Sequence, residues 1–141
     1  MASLPSSFRR YSRNEARADI VVHVIGIIFA INASLWLLAH VTGLSIIVSV
    51  SIYCAGLLSM ILASAAYHLS RHDSTKEILR RLDHAAIFIM IAATYTPFAA
   101  NRLGYDTGAA LLAVIWLSAT VGVILKLISP HRFERVSVIF Y

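Results

Sequence analysis

Residues 45–67 read SIIVSVSIYCAGLLSMILASAAY, from Ser45 to Tyr67 without one charged side chain. Crossing a bilayer core of roughly 30 Å takes about 20 helical residues, and this run is long enough. Three more apolar runs flank it, at Ile20 to Ala39, Ala85 to Ala100 and Gly108 to Ile128. The Ala85 run is the shortest, and extends toward Leu82 if Asp83 and His84 face protein or water. Because the runs are continuously apolar rather than alternating, helices are expected in place of a barrel. The expected fold class is all-α, a polytopic membrane bundle. Its spans are about 20–39, 45–67, 83–100 and 108–128, within one domain over 14–141 behind a mobile basic arm at 1–13.

Composition supports this reading. Hydrophobic residues make up 59% of the 141-residue chain and charged residues only 13%, with mean hydropathy +0.77, which excludes an ordinary soluble domain. The charges are also placed asymmetrically. Arg9, Arg10, Arg13 and Arg17 precede the first run; Arg71, Lys76, Arg80 and Arg81 separate the second from the third; Lys126, Arg132 and Arg135 close the fourth. Of the 12 Lys and Arg residues, Arg102 alone falls on the other side. Basic residues near span ends are retained in the cytoplasm, so a cytoplasmic N-terminus in the plasma (inner) membrane is expected. The net charge of +5 is then explained by attraction to anionic headgroups, and no nucleic-acid partner is expected. Cys54 is the only cysteine, so an intrachain disulfide is excluded. The first run exceeds a signal-peptide core and three more follow, so it reads as an uncleaved helix.

Helix boundaries follow from local signals. Asn14 is a candidate cap for the first helix, with acidic residues in its first turn. Gly43 breaks the chain before the second. Leu69 to Leu82 reads as a charged connection with a short amphipathic turn at Lys76 to Arg81. Proline removes a backbone donor and restricts its predecessor, so the third helix is expected to end around Thr96-Pro97. Ser129-Pro130 stops the fourth.

Ionisable groups inside spans are costly and each is a functional candidate. Glu15, Asp19 and His23 are spaced four apart, with Gly26 three further on, and share one helical face. Ser64 and His68 are likewise i, i+4 at the end of the second run, and Asp83 opens the third with Thr94 close to its face. All lie toward the cytoplasmic ends of their spans, which suggests a shared pocket. The residue types suit a hard or borderline metal. His68 can ligate zinc, and Asp83 can bind the metal directly or hold its water. Ser64 could donate to a developing oxyanion or orient that carboxylate. Glu15, Asp19 and His23 are candidate pocket residues, His23 chiefly as a hydrogen-bonded structural group.

Ser64-Ala-Ala-Tyr67-His68, then Leu82-Asp83-His84-Ala-Ala-Ile87, then Ala93-Thr94-Tyr95-Thr96-Pro97, in that order, resemble the hemolysin-III family, which belongs with the progestin and adipoQ receptors. Glu15, Asp19, His23 and Gly26 resemble that family's entrance to its first helix. The resemblance covers nearly the whole chain. It implies a seven-helix membrane protein with an intracellular N-terminus, similar to membrane hydrolases that include alkaline ceramidases. It further implies that His68 ligates zinc, Asp83 holds the metal-bound water and Ser64 supports the site, with an HxxxH pair on helix seven. No such pair follows the fourth run here, and Val136 to Tyr141 stands where a fifth helix would begin. The chain is therefore expected to be the N-terminal portion of a longer protein and inactive alone.

Three function classes follow. The first is a zinc-dependent membrane hydrolase acting on a lipid-like amide, with membrane lipids as its surroundings and a lipid-like molecule as substrate. The second is a membrane-perturbing cytolysin, as the family name implies. The third is a non-catalytic sensor or receptor-like protein.

Overall fold

The computed structural model describes residues 13–70 and 73–128. Four helices follow in order: α1 (Arg13–His40), α2 (Leu44–Leu69), α3 (Asp73–Arg102) and α4 (Tyr105–Ile128). Each is long and apolar enough to cross a membrane, and together they form an all-α membrane bundle. The expected arm lies outside the described residues except Arg13, which begins α1, and so does the run from Val136 to Tyr141.

Neighbouring helices run antiparallel. Gly26 of α1 faces Ile61 of α2, and the Cys54 thiol of α2 donates weakly to the Ser34 carbonyl of α1 at 4.0 Å. Among the described residues α1 packs on α2, α2 on α3 and α3 on α4, so the four helices form an open row and not a closed ring.

The interior is built from small residues. The buried apolar set is Ala30, Cys54, Ala65, Ala85, Ala86, Ala92, Ala93, Ala99 and Ala119, while Phe29, Leu35, Trp36 and Leu117 are each more than 60% exposed. In water this distribution would expose the large apolar groups to solvent. In lipid, which is as apolar as leucine, helices gain instead by close backbone approach over small residues. Gly56 is such a point between α2 and α3, where a Cβ would stand 2.6 Å from the Ala93 Cβ. Gly43, at φ +91, makes the turn between α1 and α2 that the sequence predicts.

Three boundaries differ from expectation. Asn14 lies inside α1 instead of capping it. The predicted connection from Leu69 to Leu82 is largely helical, because α3 begins at Asp73. Glu77 accounts for this early start: Arg80 donates to it from i+3 at 3.1 Å and Arg81 from i+4 at 3.3 Å, pairs that stabilise a helix. Arg81 also donates to the Leu127 carbonyl of α4 at 3.2 Å, tying this turn to the bundle.

The third difference is at Pro97, where α3 continues to Arg102. A proline removes one backbone donor, the one that would bond the Ala93 carbonyl, so α3 is held here by contacts to its neighbours on either side of that break. Here Asn101 donates to the Pro97 carbonyl at 2.8 Å and to Ser49 Oγ of α2 at 2.8 Å, while Ser45 donates to Asn101 Oδ1 at 2.9 Å. The Thr96 hydroxyl donates to Ala92 and accepts from the Trp116 indole of α4 at 3.2 Å. Helix three is thus clamped on both sides where sequence predicts it to stop.

A polar cluster between the first two helices

The α1–α2 register brings Asp19, His23, Ser64 and His68 together. His23 and Asp19 lie one turn apart on α1, and His23 Nδ1 is 2.8 Å from the Asp19 carbonyl oxygen. A carbonyl can only accept, so Nδ1 carries a proton, and in the neutral ring Nε2 is left with a lone pair. That nitrogen is 3.4 Å from Ser64 Oγ on α2, which donates to it. His23 is buried, with only 8% of its surface exposed, whereas Ser64 is half-buried.

His68, one turn beyond Ser64, stacks at a tilt on His23, with ring centroids 5.2 Å apart. Its Nδ1 is 4.0 Å from Asp19 Oδ2, each side chain about one-third exposed. Such a long, part-solvated pair contributes little to stability, but it sets a carboxylate beside the His68 imidazole. Tyr67 meets the His68 ring edge-on at 5.0 Å, and the Lys76 ammonium of α3 lies 5.9 Å from the Tyr67 ring centroid, within cation–π range.

Asp83 is half-buried on α3. Gly56 faces Met90 and Ala93, and Ser49 meets Asn101; continued along the two helices, this register sets Asp83 level with the Ser64–His68 turn. Asp83 also shares a face with Met90, seven residues on, and Met90 faces α2. No hydrogen bond or ion pair joins Asp83 to His68 among the described residues. Glu15 is exposed, one turn before Asp19. Thr94 does not join the cluster, since it is exposed and its hydroxyl is turned back onto the Met90 carbonyl.

Among the described residues, no three His, Cys, Asp or Glu side chains gather closely enough to hold a metal ion. A catalytic zinc takes three protein ligands and an open position, and both nitrogens of His23 are already engaged. The described residues therefore do not complete a zinc site. His68 and His72 have the spacing of an HxxxH pair, but His72 lies outside the described residues.

Two features escaped the sequence. The direct His23–Ser64 contact depends on a register that no motif encodes. The Ser45–Ser49–Asn101 clamp sits at the far end of the bundle, and its one signal was an asparagine closing the third apolar run.

Residues 11–141 match the family described as haemolysin-III related. The chain belongs to that family. Among curated haemolysin-III proteins it is similar to the hemolysin-3 homolog of Bacillus subtilis (strain 168), at 33% identity over 134 residues, covering 93% of this chain and 63% of that one. It is also similar to hemolysin-3 of Bacillus cereus, at 34% identity over 130 residues, covering 90% of this chain and 59% of that one. The chain thus spans about three-fifths of the length of these relatives. No solved structure matches it.

Proposed function

We propose that this haemolysin-III chain carries part of the site of a membrane hydrolase acting on a lipid-like amide. The N-terminus and the basic end of the bundle lie in the cytoplasm, and the membrane is the plasma membrane. The observation that carries the reading is the meeting of Asp19, His23, Ser64 and His68 across two helices at the end where the basic residues collect. Ionisable side chains grouped within spans are expensive and are kept where they do chemistry. In this reading His68 donates to zinc and Asp83 reaches the metal through water. Further ligands come from outside the described residues. The resemblance to membrane hydrolases supports the substrate class.

Zinc affinity of the purified chain should fall at least about tenfold in His68→Ala, as loss of a ligand costs no less than loss of the groups that orient one. Equal affinity in both proteins would defeat the metal assignment. For the orientation, a cysteine replacing Arg71 should react with an impermeant thiol reagent only after the cells are opened, and one replacing Gly104 should react in intact cells. The reverse pattern would overturn it.

Membrane lysis is a second reading, supported by the names of the two relatives, hemolysin-3 and its homolog. Dye release from liposomes that persists when Ser64, His68 and Asp83 are all replaced by alanine would favour lysis over hydrolysis.

A further inference from the structure

We infer that the basic ends of α3 and α4 form a binding site for one anionic phospholipid, whose phosphodiester is held by Lys126 and Arg81. The inference needs only the membrane bundle and is independent of the hydrolase reading and of any metal. Its first support is the burial of Lys126, which is 7% exposed, whereas Arg17 and Arg102 are exposed and Lys76, Arg80 and Arg81 half-buried. The buried residues of α4 are Gly108, Ala119, Gly122 and Lys126, spaced to share one face. That face is turned to α3, since a Cβ on Gly122 would meet the Phe88 ring at 2.5 Å. Lys126 follows Gly122 by one turn, so its stem lies in the seam between the two helices.

The second support is that no anion among the described residues answers it. A cation in a span is costly unless paired, yet Lys126 makes no hydrogen bond or ion pair among those residues. Nor is its ammonium sealed in. Ser34 Oγ is the one fully buried side-chain polar atom without a partner among the described residues, so Lys126 Nζ, which also lacks one, keeps an opening. The stem is buried and the charge reaches the surface, as a lysine snorkels at a membrane boundary. The carboxylates lie elsewhere. Glu77 is engaged by Arg80 and Arg81, and Asp83 shares the face of α3 that is turned to α2. Glu15 and Asp19 belong to α1, which does not pack on α4. Asp106 stands at the opposite end of α4, and Asp73 opens α3 two turns beyond Arg81.

The third support is Arg81, seven residues before Phe88 and so on the same face of α3. Its Nη1 donates to the Leu127 carbonyl at 3.2 Å, which brings the guanidinium to the residue beside Lys126. Its Nε serves Glu77, so the two hydrogens of Nη2 stay unused in a fork built for oxyanions. With Arg80, these residues set three cations against the carboxylate of Glu77. A phosphodiester suits them, because one free oxygen can accept from the ammonium and the other from Nη2.

Depth decides the source of the phosphate. Lys126 is two residues, roughly 3 Å of helix, from the end of α4 at Ile128, where a span passes from hydrocarbon to headgroups. Beside it Leu125, Leu127 and Ile128 are 40%, 40% and 75% exposed, apolar surface that acyl chains cover and a free phosphate leaves bare. Basic pockets between spans hold anionic headgroups by this chemistry.

The test is native mass spectrometry of the full chain in detergent, titrated with phosphatidylglycerol or with phosphatidylcholine of the same acyl chains. One phosphatidylglycerol should bind per chain, and phosphatidylcholine at least about fivefold more weakly. Lys126→Gln should weaken phosphatidylglycerol about fivefold or more, the effect of one basic side chain near a membrane surface, and Lys126→Arg should stay within about twofold of wild type. Arg17→Gln, which removes an exposed cation toward the same end, should change binding less than about twofold, which diffuse attraction to surface charge does not allow. Excess inorganic phosphate should leave the lipid bound. Equal binding of the two lipids, or unchanged binding in Lys126→Gln, would overturn the inference. So would an Arg17→Gln effect as large as that of Lys126→Gln, or displacement by inorganic phosphate, which marks a free-anion site. A loss in Lys126→Arg equal to that in Lys126→Gln would assign the effect to seam packing. Tighter binding by about fivefold in Glu134→Gln would show that this carboxylate, outside the described residues, already holds the ammonium, and the lipid site would fall.

Discussion

Replacing Gly56 by alanine puts one methyl group at a close approach of α2 and α3. Its Cβ would stand 2.6 Å from the Ala93 Cβ and 3.6 Å from the Met90 sulfur, where carbon atoms prefer about 3.5–4.0 Å. Ala93 is fully buried and has no side-chain torsion to relieve the clash, so the helices must part by about 1 Å. Overpacking of this kind costs about 1–3 kcal/mol. The same opening stretches the bonds from Asn101 to Ser49 and from Ser45 to Asn101, now 2.8 and 2.9 Å, beyond useful range. Interhelical bonds in membranes average about 0.6 kcal/mol each, which raises the loss to roughly 2–4 kcal/mol. Alanine's better helix propensity returns about 1 kcal/mol, leaving a net destabilisation of about 1–3 kcal/mol. Reversible unfolding in lipid–detergent mixtures at rising denaturing-detergent content measures this directly. Gly104→Ala is the control, because a Cβ there meets no atom within 4 Å, and its effect should stay within about 0.5 kcal/mol. A Gly56→Ala protein as stable as wild type would refute the close α2–α3 approach.

Two further substitutions probe the polar clamps around Pro97. Asn101→Leu removes both interhelical bonds to α2 and should cost about 1 kcal/mol in the same unfolding assay; a stabilised variant would show that the clamp is not formed. Trp116→Phe removes the indole donor to Thr96 while keeping an aromatic ring, and should cost about 0.6 kcal/mol, with no effect if Thr96 is first replaced by valine.

The four helices were legible because lipid demands continuous apolar runs, and Ser45 to Tyr67 shows one without interruption. Helix ends were less legible where side chains overrule local signals. The Glu77 pairs with Arg80 and Arg81 carry helix into a stretch whose charge reads as a loop, and Asn101 with Thr96 lets α3 pass a proline that reads as a stop. Much of the candidate cluster was also legible: the i, i+4 spacing of Asp19 with His23, and of Ser64 with His68, put each pair on one face. What spacing along a helix cannot give is the offset between two helices. That offset is set where Gly26 admits Ile61, and it decides that Ser64 meets His23. A histidine inside a span needs a polar partner; those of His23 are a backbone carbonyl, which no composition reveals, and a serine.

The central claim is that α1 and α2 meet with His23 against Ser64. In a Cys54→Ala background, cysteines replacing His23 and Ser64 can be joined by a short bifunctional thiol reagent in native membranes, with His40→Cys and Ser64→Cys as the distant pair. Rapid, near-complete joining of the 23–64 pair and none of the 40–64 pair is the predicted result. A 23–64 pair that joins no faster than the 40–64 pair would contradict it.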